Sequence, residues 1–549
     1  MNVLILVAPE ESSFYMGKNL PPLAVGVLQG YFRSKNHNVK SYDLSIPFKE
    51  MKHKKSYSYR KWIALFKKDS VFELINNSHL EPIEDLVGEL FQNIDFTNIN
   101  FVGISTGSGV SLFELHFSLL IGKYIQCKYN LPVVFGGINI SHIFSFKTAF
   151  KELWELISNN FKYIFVGSGE SSFEKLVSAY ASGNAGEIYL TLEGAVYYKE
   201  GNVYANKQAY PSFICPDFDG FSLSYYTSYF NPENLEENII QYFGWPFPYN
   251  NFAKDVNKIK YQKHDMKEVF LPYYFNHHCP YNCAFCSQSD KNKLSPCSKD
   301  SETVLKDIEC LVSKYKTKYI HFVNNTFNYT PSFVRGFCEG IIKRNIEIYW
   351  SDCARVNNLT KELLELMYKA GCRKLVFGFE TGSKKLQKYI NKKLDIDQLY
   401  KVLTLCHEIG IMCDLEVIIG FPYETEDDFM DTYNFLDQNR EYINYFYLNR
   451  YFVVPESLMG TYPENYNIEL FEVQDYNIIL NKNKNLFLRR YNYSTGDDIE
   501  LSNLHIYSFN EINGRTWNEI NSDINARFEK IYSLQQSFKS FIDSSKYIS

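Results

Sequence analysis

Two stretches of the chain alternate short apolar runs with amphipathic ones, and this restricts the fold more than any other feature of the 549 residues. In the first, runs at 3–8, 39–44, 101–105, 133–135 and 163–166 read as strands, with helical patterns at 23–34 and 113–129. In the second, strands are expected at 269–274, 319–323, 346–351, 374–379, 413–419 and 445–453. Helices are expected between them at 303–315, 331–344 and 360–370. Strands joined by helices pair in parallel, because a parallel connection needs a crossover that a tight turn cannot supply. The chain is therefore expected to be α/β, with an N-terminal doubly wound parallel sheet over 1–205 and a second block of βα units over 271–455. A Pro-, Asn- and aromatic-rich linker at 206–270 separates them, with helical pieces at 234–242 and 252–260. Residues 456–549 read as a small, mostly helical C-terminal domain that ends in an amphipathic helix at 517–542 and caps the second block.

In parallel sheets, ligands bind beyond the carboxyl ends of the strands. Small residues gather there: Gly103-Ile-Ser105-Thr106, Gly136-Gly137-Ile-Asn139 and Gly167-Ser-Gly169-Glu170. Each lets a ligand approach the backbone closely. No G-x-G-x-x-G follows the first strand, so the dinucleotide fingerprint is missing. A formal charge of −6 gives no broad basic balance, and no nucleic-acid partner is expected. The N-terminal apolar run lacks a preceding basic region and reads as a strand rather than a signal peptide. No apolar stretch reaches the ~18 residues of a membrane span, and a cytoplasmic protein is expected.

The sharpest chemical signal is Cys279-Pro-Tyr-Asn-Cys283-Ala-Phe-Cys286. It supplies three thiolates and no obvious fourth. A closed structural zinc site takes four ligands, whereas a [4Fe–4S] cluster held by three keeps one iron open. Zinc with His277 or His278 as the missing ligand is the alternative, although structural zinc sites usually join two separated short pairs. A disulfide framework is the weaker alternative. Cys127, Cys215, Cys297, Cys310, Cys338, Cys353, Cys372, Cys406 and Cys413 are scattered without pairing and suit a reducing compartment.

The Cys-x3-Cys-x2-Cys spacing, with Phe285 before the last cysteine, resembles that of the radical S-adenosylmethionine (radical SAM) enzymes. The resemblance implies that Cys279, Cys283 and Cys286 hold the cluster and that its open iron chelates the amino and carboxylate groups of S-adenosyl-L-methionine. Reductive cleavage then gives a 5′-deoxyadenosyl radical, with the electron coming from a cellular donor such as flavodoxin or ferredoxin. It also implies a partial (β/α)6 barrel over 271–455, with its chemistry at the carboxyl strand ends. Phe285, Asn325, Arg355, Glu380, Lys392, Glu416 and Phe421 become candidate SAM contacts. Glu380 lies in Gly378-Phe-Glu-Thr-Gly-Ser383 and would meet the ribose or amine. Glu416, four residues before Gly420-Phe-Pro422, suits the ribose diol. Phe421 would line the adenine slot by ring or backbone, and Arg355 or Lys392 would meet the SAM carboxylate. Asn324-Asn325 stands where the family often carries acids. His321 reads as core, and His277 and His278 as loop packing or outer neighbours of the cluster.

The first block resembles the cobalamin-binding domain that precedes many radical SAM domains. The resemblance rests, in order, on Pro21-Pro22-Leu23, His37-Asn-Val39 leading to Asp43, Gly103-Ile-Ser105, Gly136-Gly137 and Gly167-Ser-Gly169-Glu170. It extends over the tail with Glu193-Gly194 and Gly201-Asn-Val203. Pro22, Leu23, Ser105, Thr106, Gly136, Gly137, Gly167, Gly169 and Glu170 are the implied cobalamin contacts on this Rossmann-like sheet. No Asp-x-His-x-x-Gly supplies a histidine below cobalt, as is common in the radical SAM branch, and a sheet domain without its cofactor is the alternative. Together the resemblances imply a cobalamin-dependent radical SAM C-methyltransferase acting on an unactivated carbon of a peptide or small-molecule natural-product precursor. Such a carbon has no acidic proton, so general-base chemistry fails. Hydrogen-atom abstraction followed by methyl delivery from methylcobalamin across the domain interface would succeed. A non-methylating rearrangement, cyclisation or oxidation with the same cofactors is the second reading, and a non-enzymatic cobalamin- or zinc-binding protein the third. No second cysteine cluster follows residue 455, so no auxiliary cluster is expected. Tyr451, Arg489, Arg490 and Tyr491 are candidate substrate contacts.

Overall fold

A computed structural model describes residues 1–9, 20–53, 68–78, 80–107, 112–148, 150–228, 268–289, 295–472 and 507–545. The chain divides into two compact units, Met1–Tyr225 with Glu472–Ile506, and Tyr226–Phe471 with Tyr507–Ser549. Most of the expected connector, the helical pieces at 234–242 and 252–260, and Arg489, Arg490 and Tyr491 lie outside the described residues.

The first unit is built on strands β1 (Asn2–Val7), β2 (Asn38–Asp43), β3 (Phe101–Ser105), β4 (Val133–Gly136) and β5 (Tyr163–Ile164). They form one parallel sheet in the order β2-β1-β3-β4-β5. Val3 to Val7 are all buried, as expected of a central strand covered on both faces. The helices that concern the site are α1 (Leu23–Ser34), α2 (Leu112–Tyr129), α3 (Ile138–Ser145) and α4 (Glu170–Ala181). The fifth strand is shorter than expected, because Phe165 bridges instead to Ala195 beside the hairpin of β6 (Val196–Lys199) and β7 (Asn202–Ala205). The segment after the hairpin belongs to this unit. Asp217 N–H donates to Gly26 O at 2.9 Å, and Gln29 and Arg33 of α1 reach Asp219 O and the Asp217 carboxylate at 2.7 and 2.5 Å.

The second unit starts with β8 (Thr227–Ser228), antiparallel to β9 (Glu268–Tyr273). A short pair, β10 (Asn276–His277) and β11 (Cys297–Ser298), follows. Then α5 (Ser301–Tyr315), β12 (Tyr319–Phe322), α6 (Pro331–Lys343), β13 (Tyr349–Ala354), α7 (Lys361–Lys369) and β14 (Cys372–Glu380) alternate. They continue through α8 (Lys384–Tyr389), α9 (Ile396–Ile409), β15 (Met412–Ile419), α10 (Glu426–Gln438) and β16 (Tyr445–Arg450). The sheet is open, in the order β16-β15-β14-β13-β12-β9-β8, and its six consecutive strands from β16 to β9 are parallel. This is the expected partial (β/α)6 barrel. Local sequence sets the helix starts: Asp300, Thr360, Ser383 and Asp395 accept backbone N–H bonds as caps, and Thr425 with Asp428 forms a capping box.

The strand expected at 346–351 lies at Tyr349–Ala354. Its first residues are taken up in ending α6. Ile346 N–H bonds to Ile341 O and Asn345 N–H to Ile342 O, with Asn345 left-handed at φ 54°. This is the paired bonding of a Schellman cap, which the alternating Ile346 and Ile348 disguised as strand.

The C-terminal elements share a core with the barrel. Ala284, Leu386, Ile390, Phe421, Tyr451 and Met459 pack with Ile468 of β17 (Ile468–Glu472), Phe509 of β18 (Tyr507–Glu511), and Ile520 and Ile524 of α11 (Trp517–Ser545). A buried pair fixes α11, with Arg527 donating to the Glu424 carboxylate at 3.0 Å. Tyr451, a candidate substrate contact by sequence, is a core residue whose hydroxyl donates to the Met459 sulfur at 3.0 Å. Among the described residues no helix is long and apolar enough to cross a membrane.

Candidate active site

The cysteine loop lies beyond the carboxyl end of β9, and the β10–β11 pair closes its base. Its conformation is set by backbone bonds and small polar side chains. Cys286 N–H donates to Cys283 O at 3.1 Å, and Ser289 Oγ donates to the same carbonyl at 2.6 Å. The stretch 390–392 pins the loop from the far side. Ala284 N–H bonds to Ile390 O at 2.8 Å, and Asn391 Nδ2 to Asn282 O at 2.6 Å. Cys283 is buried, while Cys279 and Cys286 are half-buried. Burial raises the Cys286 thiol, and the Cys283 and Cys279 sulfurs add to the effect.

Two cations face these sulfurs. Arg355 follows β13, and its Nη1 lies 3.8 Å from Cys283 Sγ. Lys392 Nζ stands 5.8 Å from the centre of the Phe285 ring. Burial alone would lower the Lys392 ammonium, but the Glu380 carboxylate and the Cys283 sulfur outweigh it and raise its pKa. Three soft thiolate donors in one wrapped loop, with positive charge opposite, fit an iron–sulfur cubane in which each thiolate binds a different iron. Among the described residues, no three Cys, His, Asp or Glu side chains close on one point as a single-ion site requires.

Glu380 ends β14 in an unusual way. The β14–β15 register slips between Gly378 and Glu380, a bulge that pairs Gly378 with Glu416 and Glu380 with Val417. Glu380 itself is left-handed at φ 62°, which is rare for a glutamate. Bulges of this kind re-aim a side chain beside a site. Here the re-aimed carboxylate accepts from Lys392 Nζ at 2.6 Å, with both side chains largely buried. Gly378 makes the room: a Cβ there would lie 2.3 Å from Lys392 Nζ and 2.6 Å from Glu380 Oε1. Glu416, half-buried, accepts from Asn449 Nδ2 at 2.9 Å. Burial, reinforced by Glu380, pushes its carboxyl up to about 7.

The other sequence candidates disperse somewhat. Phe285 meets Phe421 edge-on at 5.5 Å, but the Phe421 ring is wholly buried in the shared core, which leaves its backbone for a ligand. Asn325 is exposed just past β12. Asn324 is a bracket: its Oδ1 accepts from Phe275 and Asn276 N–H at 2.9 and 3.1 Å, and its Nδ2 donates to Asp352 at 2.6 Å. An acid in that place would set a second carboxylate against Asp352, which burial already pushes up to about 8. His321 is buried beside Ser351 Oγ at 3.1 Å, and burial lowers it to about 3. Asn328 and Asp352 were not singled out by sequence reading. Tyr281 and Gly378 were quoted only as parts of motifs, the cysteine triplet and the stretch around Glu380, and those motifs were their signal.

In the first unit the cobalamin candidates gather at the carboxyl ends of the strands. Thr106 N–H and Oγ1 both donate to Gly136 O, at 2.9 and 3.0 Å, joining the ends of β3 and β4. Gly137, at φ 113°, caps α3, and a Cβ there would sit 3.0 Å from Thr106 N. Ser141 Oγ accepts from Gly167 N–H at 3.1 Å and so ties in the loop after β5. Gly169 caps α4, whose first residue Glu170 has its carboxyl raised by burial. Pro22 and Leu23 start α1, the crossover from β1, and Ser105 ends β3. Sequence reading missed Glu114 and gave Asn139 no role of its own. Asn139 Nδ2 donates to Thr106 O and to Glu114 at 2.9 and 3.0 Å, fixing the Thr106 turn from beneath. Asn139 ends the quoted stretch Gly136-Gly137-Ile-Asn139, which was the available signal.

Residues 273–436 match the family model of the radical SAM superfamily. An uncharacterized methyltransferase of Pyrococcus horikoshii is 27% identical over 157 residues, 29% of this chain and 34% of that one. The chain thus spans about a third of this curated relative's length. Among solved structures, the cobalamin-dependent S-adenosylmethionine radical enzyme OxsB with aqua-cobalamin bound aligns over 99% of this chain and 71% of its own. The TM-score is 0.56 and the identity 15%. The radical S-adenosylmethionine methyltransferase TsrM from Kitasatospora setae, with tryptophan substrate and a SAM analogue bound, aligns over 83% of this chain and 75% of its own, with a TM-score of 0.52 and 16% identity. Residues 273–436 thus carry the likeness to the radical SAM superfamily, and the chain shares the fold of the OxsB structure.

Proposed function

We propose that this chain is a cobalamin-dependent radical SAM methyltransferase that acts on an unactivated carbon of a peptide or small-molecule natural-product precursor. The observation that carries the reading is the three-thiol loop at the mouth of an open parallel barrel, with Arg355, Lys392, Glu380 and Glu416 set around it. When bound, the cluster would supply the electron that cleaves SAM to a carbon radical, and methylcobalamin the methyl group. Cys279, Cys283 and Cys286 would hold the cluster and leave one iron without a protein ligand. Glu380 and Lys392 offer opposite charges to the zwitterionic end of SAM. Glu416 offers a carboxyl to the ribose hydroxyls, and its raised pKa lets it either accept or donate near neutral pH. In the first unit, the stitched ends of β3, β4 and β5 present backbone at Thr106, Gly137 and Gly167 for a large planar ligand such as cobalamin. The names of the Pyrococcus horikoshii relative and of TsrM support methyl transfer over the non-methylating alternative. A cellular donor such as flavodoxin or ferredoxin would deliver the electron.

The test is anaerobic reconstitution with iron, sulfide and hydroxocobalamin. The reading expects about four irons per chain, the electron-paramagnetic signal of a reduced cubane, and one cobalamin retained through gel filtration. Protein that retains zinc but neither iron nor cobalamin would overturn it.

A further inference from the structure

Arg355 is held more tightly than a ligand-binding arginine at the mouth of a barrel needs to be. Its backbone is clamped by the buried Asn328, whose Oδ1 accepts from Arg355 N–H at 2.9 Å and whose Nδ2 donates to Arg355 O at 2.7 Å. Its guanidinium lies against the Tyr281 ring, with Cζ 3.8 Å from the ring centre. Nη2 donates to Lys392 O at 2.5 Å, and Nη1 reaches Cys283 Sγ at 3.8 Å. Backbone, ring face and carbonyl thus fix the planar fork in one orientation, with a donor directed at the most buried of the three thiols.

We propose that Arg355 is a positioning residue for the electron transfer rather than a contact for the SAM carboxylate, its guanidinium donating to the Cys283 thiolate and raising the cluster's reduction potential. The inference rests on the reading that Cys279, Cys283 and Cys286 hold an iron–sulfur cluster. Each reduction adds one electron, and hence one negative charge, to a cluster already ligated by three thiolates. A fixed cation hydrogen-bonded to one of those sulfurs stabilises the reduced form more than the oxidised form. Arginine suits the role better than lysine, because its charge does not titrate and its flat fork can stack on Tyr281 while two of its nitrogens donate in different directions. Lys392 also lies near the sulfurs, but its Nζ makes its ion pair with Glu380, so of these two cations Arg355 is the one that donates to a thiol.

The experiment is an anaerobic redox titration of the reconstituted full chain, followed by electron paramagnetic resonance, for wild type, Arg355→Gln and Arg355→Lys. Iron content and the SAM dissociation constant are measured on the same samples. Arg355→Gln is expected to keep its iron and to lower the ratio of reduced to oxidised cluster at fixed poise about tenfold, a midpoint shift of about 59 mV for one electron. Arg355→Lys should fall between Gln and wild type, and SAM affinity should stay within about twofold. If Arg355→Gln loses its iron, Tyr281→Leu, which removes the ring platform but keeps the guanidinium, is expected to give a smaller shift of the same sign. An unchanged midpoint with SAM binding weakened tenfold overturns the proposal and makes Arg355 a SAM ligand. An unchanged midpoint and unchanged SAM affinity also overturn it. Wild-type chain that binds no iron would instead remove the cluster reading beneath it.

Discussion

Lys392 Nζ and Glu380 Oε1 lie 2.6 Å apart in the space that Gly378 leaves by having no side chain. The pair joins the bulged end of β14 to the stretch that pins the cysteine loop. A change at Gly378 is therefore felt at both of the charges proposed to meet SAM. Gly378→Ala is expected to cost about 1–3 kcal/mol of stability by overpacking and to weaken SAM binding at least tenfold, with iron content unchanged. Equilibrium dialysis of SAM beside an iron assay checks this. Unaltered SAM affinity would show that the pair does not serve the ligand.

Glu416 gives a pH dependence with a definite sign. Its carboxyl is raised from the ordinary 4.5 to about 7, first by burial and then by Glu380. Between those values the folded chain keeps a proton that the unfolded chain has released, so stability falls as pH rises through the interval. Glu416→Gln cannot ionise. Its melting temperature relative to wild type is therefore expected to climb from pH 5 to pH 8. Thermal melts of both proteins across that range check it, and a constant difference would contradict it.

Gly137 probes the first unit alone. Its φ of 113° and the 3.0 Å approach to Thr106 N leave little room for a side chain. Gly137→Ala is expected to cost roughly 1–3 kcal/mol in local strain and to lower cobalamin affinity by an order of magnitude. Absorbance of retained cobalamin reads the effect. Deoxyadenosine formation, which the proposed function assigns to the second unit, should persist.

Cys283→Ala separates the units in the opposite direction. Loss of one of three thiolates is expected to abolish deoxyadenosine formation and to drop bound iron to background, while cobalamin stays bound. Retained SAM cleavage in this variant would remove the cluster assignment.

Much of the architecture was written in the strand–helix alternation, because burial on both faces of a parallel sheet demands near-continuous apolar runs at crossover spacing. The loop that carries the three cysteines was equally readable, since they are local in sequence. Features set by pairing between distant segments were not. The bulge that re-aims Glu380 depends on how β14 lies along β15, and nothing in Gly378-Phe-Glu announces a left-handed glutamate. Asn324 read as a weakened acid. Its need to accept from 275–276 while donating to Asp352 is visible only when three segments meet. Tyr451 read as a candidate substrate contact because β17, β18 and α11, which bury it, come later in the chain.

In the proposed function one chain cleaves SAM reductively and also transfers methyl through cobalamin. The most direct measurement is mass spectrometry of SAM-derived products after anaerobic incubation with reductant, with and without added cobalamin. 5′-Deoxyadenosine is expected in both samples and S-adenosylhomocysteine only with cobalamin. Neither product, from protein shown to carry its cluster and cobalamin, would contradict it.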